Sequence, residues 1–231
     1  MARGWRSRST TKGLLICGFA AAGLYIVGDI VAGFAYKSSR PYSFQDQWIS
    51  ELTATGSPVR PGMVTVVTIH DLLLIAFGIG VWRAGADAHN RSLRWSGVAL
   101  IATHAFGLVI HPFFPMTSRW LEPTSSDSMH AATSAVWGIG ISVAIVLAAV
   151  AIRGWFRWFS IASLVVILGF TALSSVAIQG IEENDTAWAG AFERVSAYGV
   201  MVWLVVLAWI ALRPYNASRT GSARRGPALA G

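Results

Sequence analysis

The chain has little charge and almost no cysteine. Only 13% of its 231 residues are charged, about half of the ~25% found in soluble domains. This shortage excludes a disordered chain and argues against an ordinary soluble enzyme. A lone cysteine, Cys17, excludes an intrachain disulfide. The sequence also lacks a phosphate-binding glycine loop and a cysteine-based metal motif, so it points to no nucleotide chemistry.

What the chain does contain is apolar sequence. Hydrophobic residues make up 54% of it, the mean hydropathy is +0.54, and there are 11 Trp and 11 Phe. A membrane-spanning helix needs about 20 consecutive apolar residues. Six such runs are present: Gly13–Tyr36, Pro61–Trp82, Trp95–Phe114, Met129–Ile152, Phe159–Gln179 and Ala191–Leu212. The sequence therefore predicts an all-α, six-helix transmembrane bundle over residues 13–212. Residues 1–12 are expected to form a basic tail, and residues 213–231 are expected to be a disordered one.

The distribution of basic residues predicts how the bundle is oriented. Lysine and arginine concentrate on the cytoplasmic side of a membrane. The two tails and the second and fourth connections hold 13 of the 18 basic residues. These are Arg3, Arg6, Arg8, Lys12, Arg83, Arg91, Arg94, Arg153, Arg157, Arg213, Arg219, Arg224 and Arg225. Both termini are thus expected in the cytoplasm, with the protein in the plasma membrane. The net charge of +7 records this orientation and favours anionic-lipid contact, and we expect no nucleic-acid partner.

Ionisable side chains inside the spans are few and unevenly placed. Such groups are costly in a membrane and commonly mark function. All but His104 lie in the outer halves of the spans, whereas the cytoplasmic halves contain none. These groups are Asp29, His70, Asp71, His104, His111, His130, Glu193 and Arg194. The asymmetry, together with Glu51 in the first outer connection, predicts an exterior-facing polar pocket over an apolar floor. Its expected ligand is a small or lipid-like molecule.

The outer connections carry further signals. Residues Gln45–Leu52 are predicted to form a short amphipathic helix at the membrane surface, followed by a turn at Gly56–Pro58. After the third span, Pro112 and Pro115 are expected to kink the chain.

These connections resemble the domain of unknown function 998 family of bacterial and archaeal membrane proteins. The resemblance is carried by Ile49–Pro58, by Phe114–Pro115 with His130, and by Phe192–Val195. Six spans in matching order extend it over nearly the whole chain. It implies a multi-pass membrane protein of bacterial type, without an assigned reaction.

Three functional interpretations remain open on sequence alone, and whether the protein is an enzyme is among the open points. The leading interpretation is ligand binding in the outer pocket. The second is a metal-dependent intramembrane hydrolase. No cofactor is expected from a motif, but zinc held by His111, His130 and His70 would serve such chemistry. The third is a scaffold or small transporter protomer that forms homo-oligomers through its glycines.

The polar groups could also satisfy one another. We expect Arg194 to pair with Glu51 or Asp29, and predict that Glu51 lies within side-chain reach of Arg194. His70 is expected to bond Asp29, which leaves Asp71 in need of a hydrogen-bond donor.

Overall fold

The computed structural model describes residues 2–38, 41–177 and 186–223. Six α-helices run through these residues: α1 Ala2–Ala35, α2 Arg60–Asp87, α3 Arg91–Ile110, α4 Ser125–Ala151, α5 Trp155–Val176 and α6 Ala189–Ala223. Each contains a stretch long and apolar enough to cross a membrane. The prediction of an all-α, multi-pass membrane bundle is therefore confirmed. The cytoplasmic location of both termini stays a prediction.

The outermost helices are longer than the apolar runs. α1 already begins at Ala2, inside the expected basic tail. α6 continues to Ala223, although the sequence predicts disorder from residue 213. Just beyond residue 212 the helix meets the end of α2, where Tyr215 donates a hydrogen bond of 2.7 Å to Asp87. Residues 224–231, the expected end of the fifth span at Gln179, and Arg40 lie outside the described residues.

Neighbouring helices pack against each other in chain order, and α6 returns to α1 to close a ring. Short connections make consecutive helices antiparallel, so the connections alternate between two ends of the bundle. We call the end with the α2–α3 and α4–α5 connections the basic end. The opposite end, with residues 36–38, 41–59, 111–124, 177 and 186–188, is called the polar end.

Large apolar side chains fill the ring in the half nearer the basic end. Phe77 and Trp203 are fully buried there, together with Leu100. The Trp203 indole N–H donates to Ser160 Oγ at 3.1 Å, so its polar atom is satisfied. α2 and α3 touch through backbone, because a Cβ added to Gly97 would lie 2.6 Å from a backbone nitrogen. Small residues at such crossings allow close helix packing in membranes.

The outer surface of the ring is also apolar. Phe34, Trp158 and Val165 are 79%, 70% and 67% exposed. Apolar surface on this scale, spread around helices with internally paired backbones, is suited to lipid rather than to water. The bilayer is therefore a partner of this chain.

Candidate functional site

A buried ion pair joins the first and last helices at the polar end. Arg194 on α6 donates from Nε to Asp29 Oδ2 at 2.9 Å and from Nη2 to Asp29 Oδ1 at 2.8 Å. The carboxylate is fully buried and the arginine side chain is 11% exposed. Tyr198, one turn further along α6, donates to the same carboxylate at 2.6 Å. Two parallel N–H donors match the geometry of a carboxylate. This pair therefore joins α6 to α1, the contact that closes the ring of helices.

The remaining donors of Arg194 hold the first outer connection. Nη1 donates to the backbone oxygens of Phe44 and Gln47 at 2.7 and 3.0 Å. Nη2 also donates to the Tyr42 hydroxyl at 2.6 Å, which in turn donates to the Trp48 backbone oxygen at 2.8 Å. Burial raises the pKa of Tyr42, so its hydroxyl keeps the proton that this second bond requires.

A second ion pair ties the three outer connections together. Glu51 pairs with Arg119, whose Nε donates to Glu51 Oε2 at 2.7 Å. Arg119 also donates to Thr186 Oγ1 at 2.7 Å and lies over the Trp48 ring at 5.3 Å. Because both charged side chains are only 3% exposed, this contact is structural rather than a solvated surface pair.

We call residues 41–59, 112–124 and 186–188, together with Asp29 and residues 192–195 of α6, the polar cap. The 3₁₀ helix Ile49–Thr53 lies inside it, where the sequence predicts a surface helix over residues 45–52. The reason is that its polar groups find buried partners. Glu51 accepts from the Trp48 N–H at 3.0 Å, and Glu193 accepts from the Ile49 N–H.

Below the cap, three ionisable side chains meet in the interior of the bundle. His70 and Asp71 on α2 and His104 on α3 each present one possible metal-ligand atom, and these atoms lie within 4.8 Å of one another. All three residues are buried. We call them the histidine cluster. Two aromatic side chains pack against the cluster. The ring centroid of Tyr25 lies 5.0 Å from that of His70, and the ring centroid of Trp137 lies 5.8 Å from that of His104.

Hydrogen bonds fix the tautomers of both histidines. His104 Nδ1 lies 2.8 Å from Asp71 Oδ1, and His70 Nδ1 lies 3.1 Å from the Ala21 backbone oxygen. An ionised carboxylate and a carbonyl only accept hydrogen bonds, so Nδ1 is the donor in both rings. In a neutral imidazole with this tautomer, Nε2 carries a lone pair. Within the described part of the chain, the buried Nε2 of His104 has no hydrogen-bond partner.

Two further histidines lie between the cluster and the cap. The rings of His111 and His130 are 5.9 Å apart, and His130 Nδ1 donates to the Phe114 backbone oxygen at 3.0 Å. His111 Nε2 is a second buried nitrogen that lacks a partner among the described residues. A methyl group at Gly107 would lie 3.3 Å from Asp71 Oδ2 and 3.8 Å from His111 Nδ1. Asp71 of the cluster and His111 therefore face the same small-residue position on α3.

Comparison with known proteins gives a family but no reaction. The family described as "Protein of unknown function (DUF998)" matches residues 19–210. The chain belongs to this family. No curated protein and no solved structure matches it. The residues by which the sequence resembles DUF998 lie largely in the polar cap, at Ile49–Pro58 and Phe192–Val195.

The structure divides the sequence-predicted site residues of this DUF998 protein into two groups. Asp29, Glu51, Glu193 and Arg194 are engaged in the cap, whereas His70, Asp71, His111 and His130 lie in or just above the histidine cluster. His70 bonds Ala21 rather than Asp29, and Asp71 finds its donor in His104. Arg194 pairs with Asp29, while Glu51 pairs with Arg119 and meets Arg194 only through Gln47.

Sequence reasoning did not select two residues of these groups. Arg119 is an ordinary basic residue of an outer connection in the sequence. His104 is set apart there because it lies deeper than the other ionisable groups. A signal for His104 was nevertheless available: it lies seven residues, about two helical turns, before His111 on one helix face.

Two grooves in the described residues lie away from the polar end. One, of about 320 Å³, runs between α4 and α5 beside Ala149 and Arg157. The other, of about 510 Å³, lies at the α2–α3 connection beside Arg91 and Arg94. Both are in the half of the bundle nearer the basic end.

Proposed function

We propose that this DUF998 protein is a metal-dependent membrane hydrolase. In this proposal His70, Asp71 and His104 bind one zinc ion, and the substrate is a small or lipid-like molecule that enters from the polar end. The observation that carries the proposal is the meeting of three buried possible ligand atoms, from two histidines and one carboxylate, within 4.8 Å of one another.

The donor set supports zinc. Two histidines and one carboxylate recur in catalytic zinc sites, with a fourth position left for water. Metal-binding histidines commonly donate their other ring N–H to a carboxylate or a backbone oxygen, as His70 does here to the Ala21 oxygen. Ligand atoms around tetrahedral zinc lie roughly 3.4 Å apart for bonds of 2.0–2.1 Å. In the cluster the possible ligand atoms lie within 4.8 Å of one another. Zinc bound by His104 and Asp71 together would replace the proton that joins His104 Nδ1 to Asp71 Oδ1.

The same geometry supports hydrolysis. Zinc held there would lower the pKa of a bound water to about 7 and so supply a nucleophile for the carbonyl carbon of an ester. Addition of that water oxygen would break the carbon–oxygen bond to the alcohol, whose oxygen would take up the proton that the water gives up. The products are a carboxylic acid and an alcohol, so the reaction needs only water as a second reactant. His111 is the candidate proton carrier, because its ring and Asp71 face the same position at Gly107.

The proposed orientation places the polar end outside the cell and the basic end in the cytoplasm. The excess of arginine and lysine at the basic end supports it. Reporter fusions after Arg94 and after Arg213 are expected to report the cytoplasm, and a fusion near Asp127 the exterior. The opposite pattern would overturn the orientation.

Elemental analysis of the purified protein tests the metal site. The full chain, exchanged into metal-free detergent buffer and then given zinc, is expected to retain about one zinc ion per chain. His104→Gln is expected to retain none. His89→Asn is the matched control, because His89 is an exposed histidine of the α2–α3 connection whose backbone φ of 53° an asparagine tolerates. Equal zinc content in wild type and His104→Gln would contradict the proposed site.

Hydrolysis of a para-nitrophenyl acyl ester in mixed micelles tests the reaction. Zinc-loaded wild type and His89→Asn are expected to release nitrophenol, and His104→Gln is not. Zinc binding without ester hydrolysis would confine the proposal to a metal-binding protein. Release that is equal in all three proteins would contradict a role for the histidine cluster.

A further inference from the structure

The groove at the α2–α3 connection lies outside the proposed metal site and has a composition of its own. It measures about 510 Å³. Its lining residues come from the last turns of α2, the connection and the first turns of α3. They are Trp82, Ala86, His89, Arg91, Arg94, Trp95 and Val98. One end of the groove is therefore cationic and the other aromatic and apolar.

The cationic end has unused capacity for an anion. Within residues 2–38, 41–177 and 186–223, neither Arg91 nor Arg94 forms an ion pair with a carboxylate. The nearby carboxylate of Asp87 is hydrogen-bonded by Tyr215 instead. Arg94 lies over the Trp82 ring at 5.4 Å, which holds its guanidinium at the groove. The positive end of the α3 dipole adds to the same field.

The depth of the groove matches the headgroup region of a bilayer. It lies where one membrane-spanning helix ends and the next begins. Trp82 and Trp95 are 38% and 51% exposed, and tryptophan is enriched at membrane–water interfaces. Val98 follows Trp95 by three residues on the same face of α3 and is exposed deeper in the bilayer. An occupant with an anionic head and an apolar tail would therefore match both ends.

We infer that this groove binds an anionic phospholipid of the membrane leaflet at the basic end. The phosphate lies between Arg91 and Arg94, and an acyl chain follows Trp95 and Val98. This site is independent of the proposed hydrolase and of its metal. Two of the many basic residues at this end of the bundle thus form a specific lipid site between α2 and α3.

Titration of the full chain in neutral detergent with phosphatidylglycerol tests this inference. Replacing both arginines, Arg91→Gln with Arg94→Gln, is expected to weaken phosphatidylglycerol binding by about 30-fold, since each basic side chain near an anionic headgroup contributes comparably. The matched control is Arg153→Gln with Arg213→Gln, which removes the same charge from exposed residues at the same end outside the groove. It is expected to bind like wild type. Arg91→Gln alone serves if the double variant fails to fold.

Two further titrants identify the ligand. Phosphatidylcholine, which has no net charge, is expected to bind no better to wild type than to the groove variant. Inorganic phosphate alone is expected to bind far more weakly than phosphatidylglycerol. Equal weakening in both double variants would overturn the site, as would wild-type binding of phosphatidylcholine as tight as that of phosphatidylglycerol. Phosphate as potent as the lipid would instead assign the groove to a soluble anion and overturn the acyl-chain contact.

Discussion

The polar cap and the histidine cluster both bury ionisable side chains, but only the cap gives its charges full partners. Arg194 is bonded to a carboxylate, a hydroxyl and backbone oxygens, and Arg119 is similarly surrounded. In the cluster, Asp71 and the Ala21 backbone oxygen use one nitrogen of each histidine. Among the described residues, Nε2 of His104 has no hydrogen-bond partner.

This difference separates a structural role from a chemical one. A buried ion pair whose hydrogen bonds are all made holds elements in place, and removing one partner leaves an uncompensated charge. A buried cluster of two histidines and one carboxylate, in which a ring nitrogen is left without a partner, can exchange its internal hydrogen bond for a bound ion. We therefore expect variants of the cap to change folding, and variants of the cluster to change binding.

The largest expected effect is on the cap. Arg194→Met should lower the free energy of unfolding by about 3–5 kcal/mol, because Asp29 would remain buried without its cation. Thermal unfolding of the purified protein in detergent measures this loss. Arg153→Met, at an exposed arginine of the basic end, is the control and should unfold like wild type. A loss no larger than that of the control would show that the Asp29–Arg194 pair does not close the ring.

The stability gained from zinc should distinguish the polar cap from the histidine cluster in one measurement. At a free zinc concentration of 100 times its Kd, a ligand specific for the folded state adds about 2.7 kcal/mol of stability. We expect this gain in wild type and in the cap variant Arg194→Met, but not in His104→Gln. The unfolding temperature with zinc and with a chelator reports it. A gain that persists in His104→Gln, or one that Arg194→Met abolishes, would contradict the division.

A smaller effect is expected at Tyr42, which links Arg194 to the first outer connection. Tyr42→Phe removes one acceptor of Arg194 and one donor to Trp48, and should cost about 1–2 kcal/mol at neutral pH. Because burial raises the pKa of Tyr42 in the folded chain, wild type should lose stability as pH rises above about 10, where the phenol of an unfolded chain ionises.

The pH dependence tests this account of Tyr42. The unfolding temperature of Tyr42→Phe should fall less than that of wild type between about pH 9 and about pH 11. Parallel curves for the two proteins would mean that the Tyr42 hydroxyl makes no special contribution to the cap at alkaline pH.

Much of the fold could be predicted from the sequence because it depends on local composition. Apolar runs of the length of a bilayer predict the six helices, since no other arrangement of such segments satisfies the backbone in lipid. Where ionisable residues enter the spans could also be read directly from the sequence.

The partners of those residues depend on helix rotation and ring closure, which a sequence does not contain. Asp29 meets Arg194 only because α6 returns to α1. His70 bonds Ala21, eight residues before Asp29, and so lies about 12 Å below that carboxylate along α1. The expected hydrogen bond between His70 and Asp29 is therefore wrong, because His70 contacts α1 about two helical turns before Asp29. Arg119 was missed because its burial arises when three connections, distant in sequence, pack together.

The smallest expected change in stability is also the sharpest test of the cluster. Gly107 lies inside α3, where alanine is favoured over glycine by about 1 kcal/mol. An added methyl group would lie 3.3 Å from Asp71 Oδ2, which is tight, and 3.6 Å from Trp137. These effects oppose each other, so Gly107→Ala should change the free energy of unfolding by less than about 1 kcal/mol. The methyl group nevertheless crowds the carboxylate oxygen that does not bind His104, and zinc affinity should fall by about tenfold or more.

Parallel zinc titration and thermal unfolding measure the two quantities, with Gly138→Ala as the control because a methyl group there meets no atom within 4 Å. Unchanged zinc affinity in a stable Gly107→Ala protein would show that the ion does not use this side of Asp71. A loss of zinc affinity without a loss of stability would separate binding in the cluster from folding in the cap.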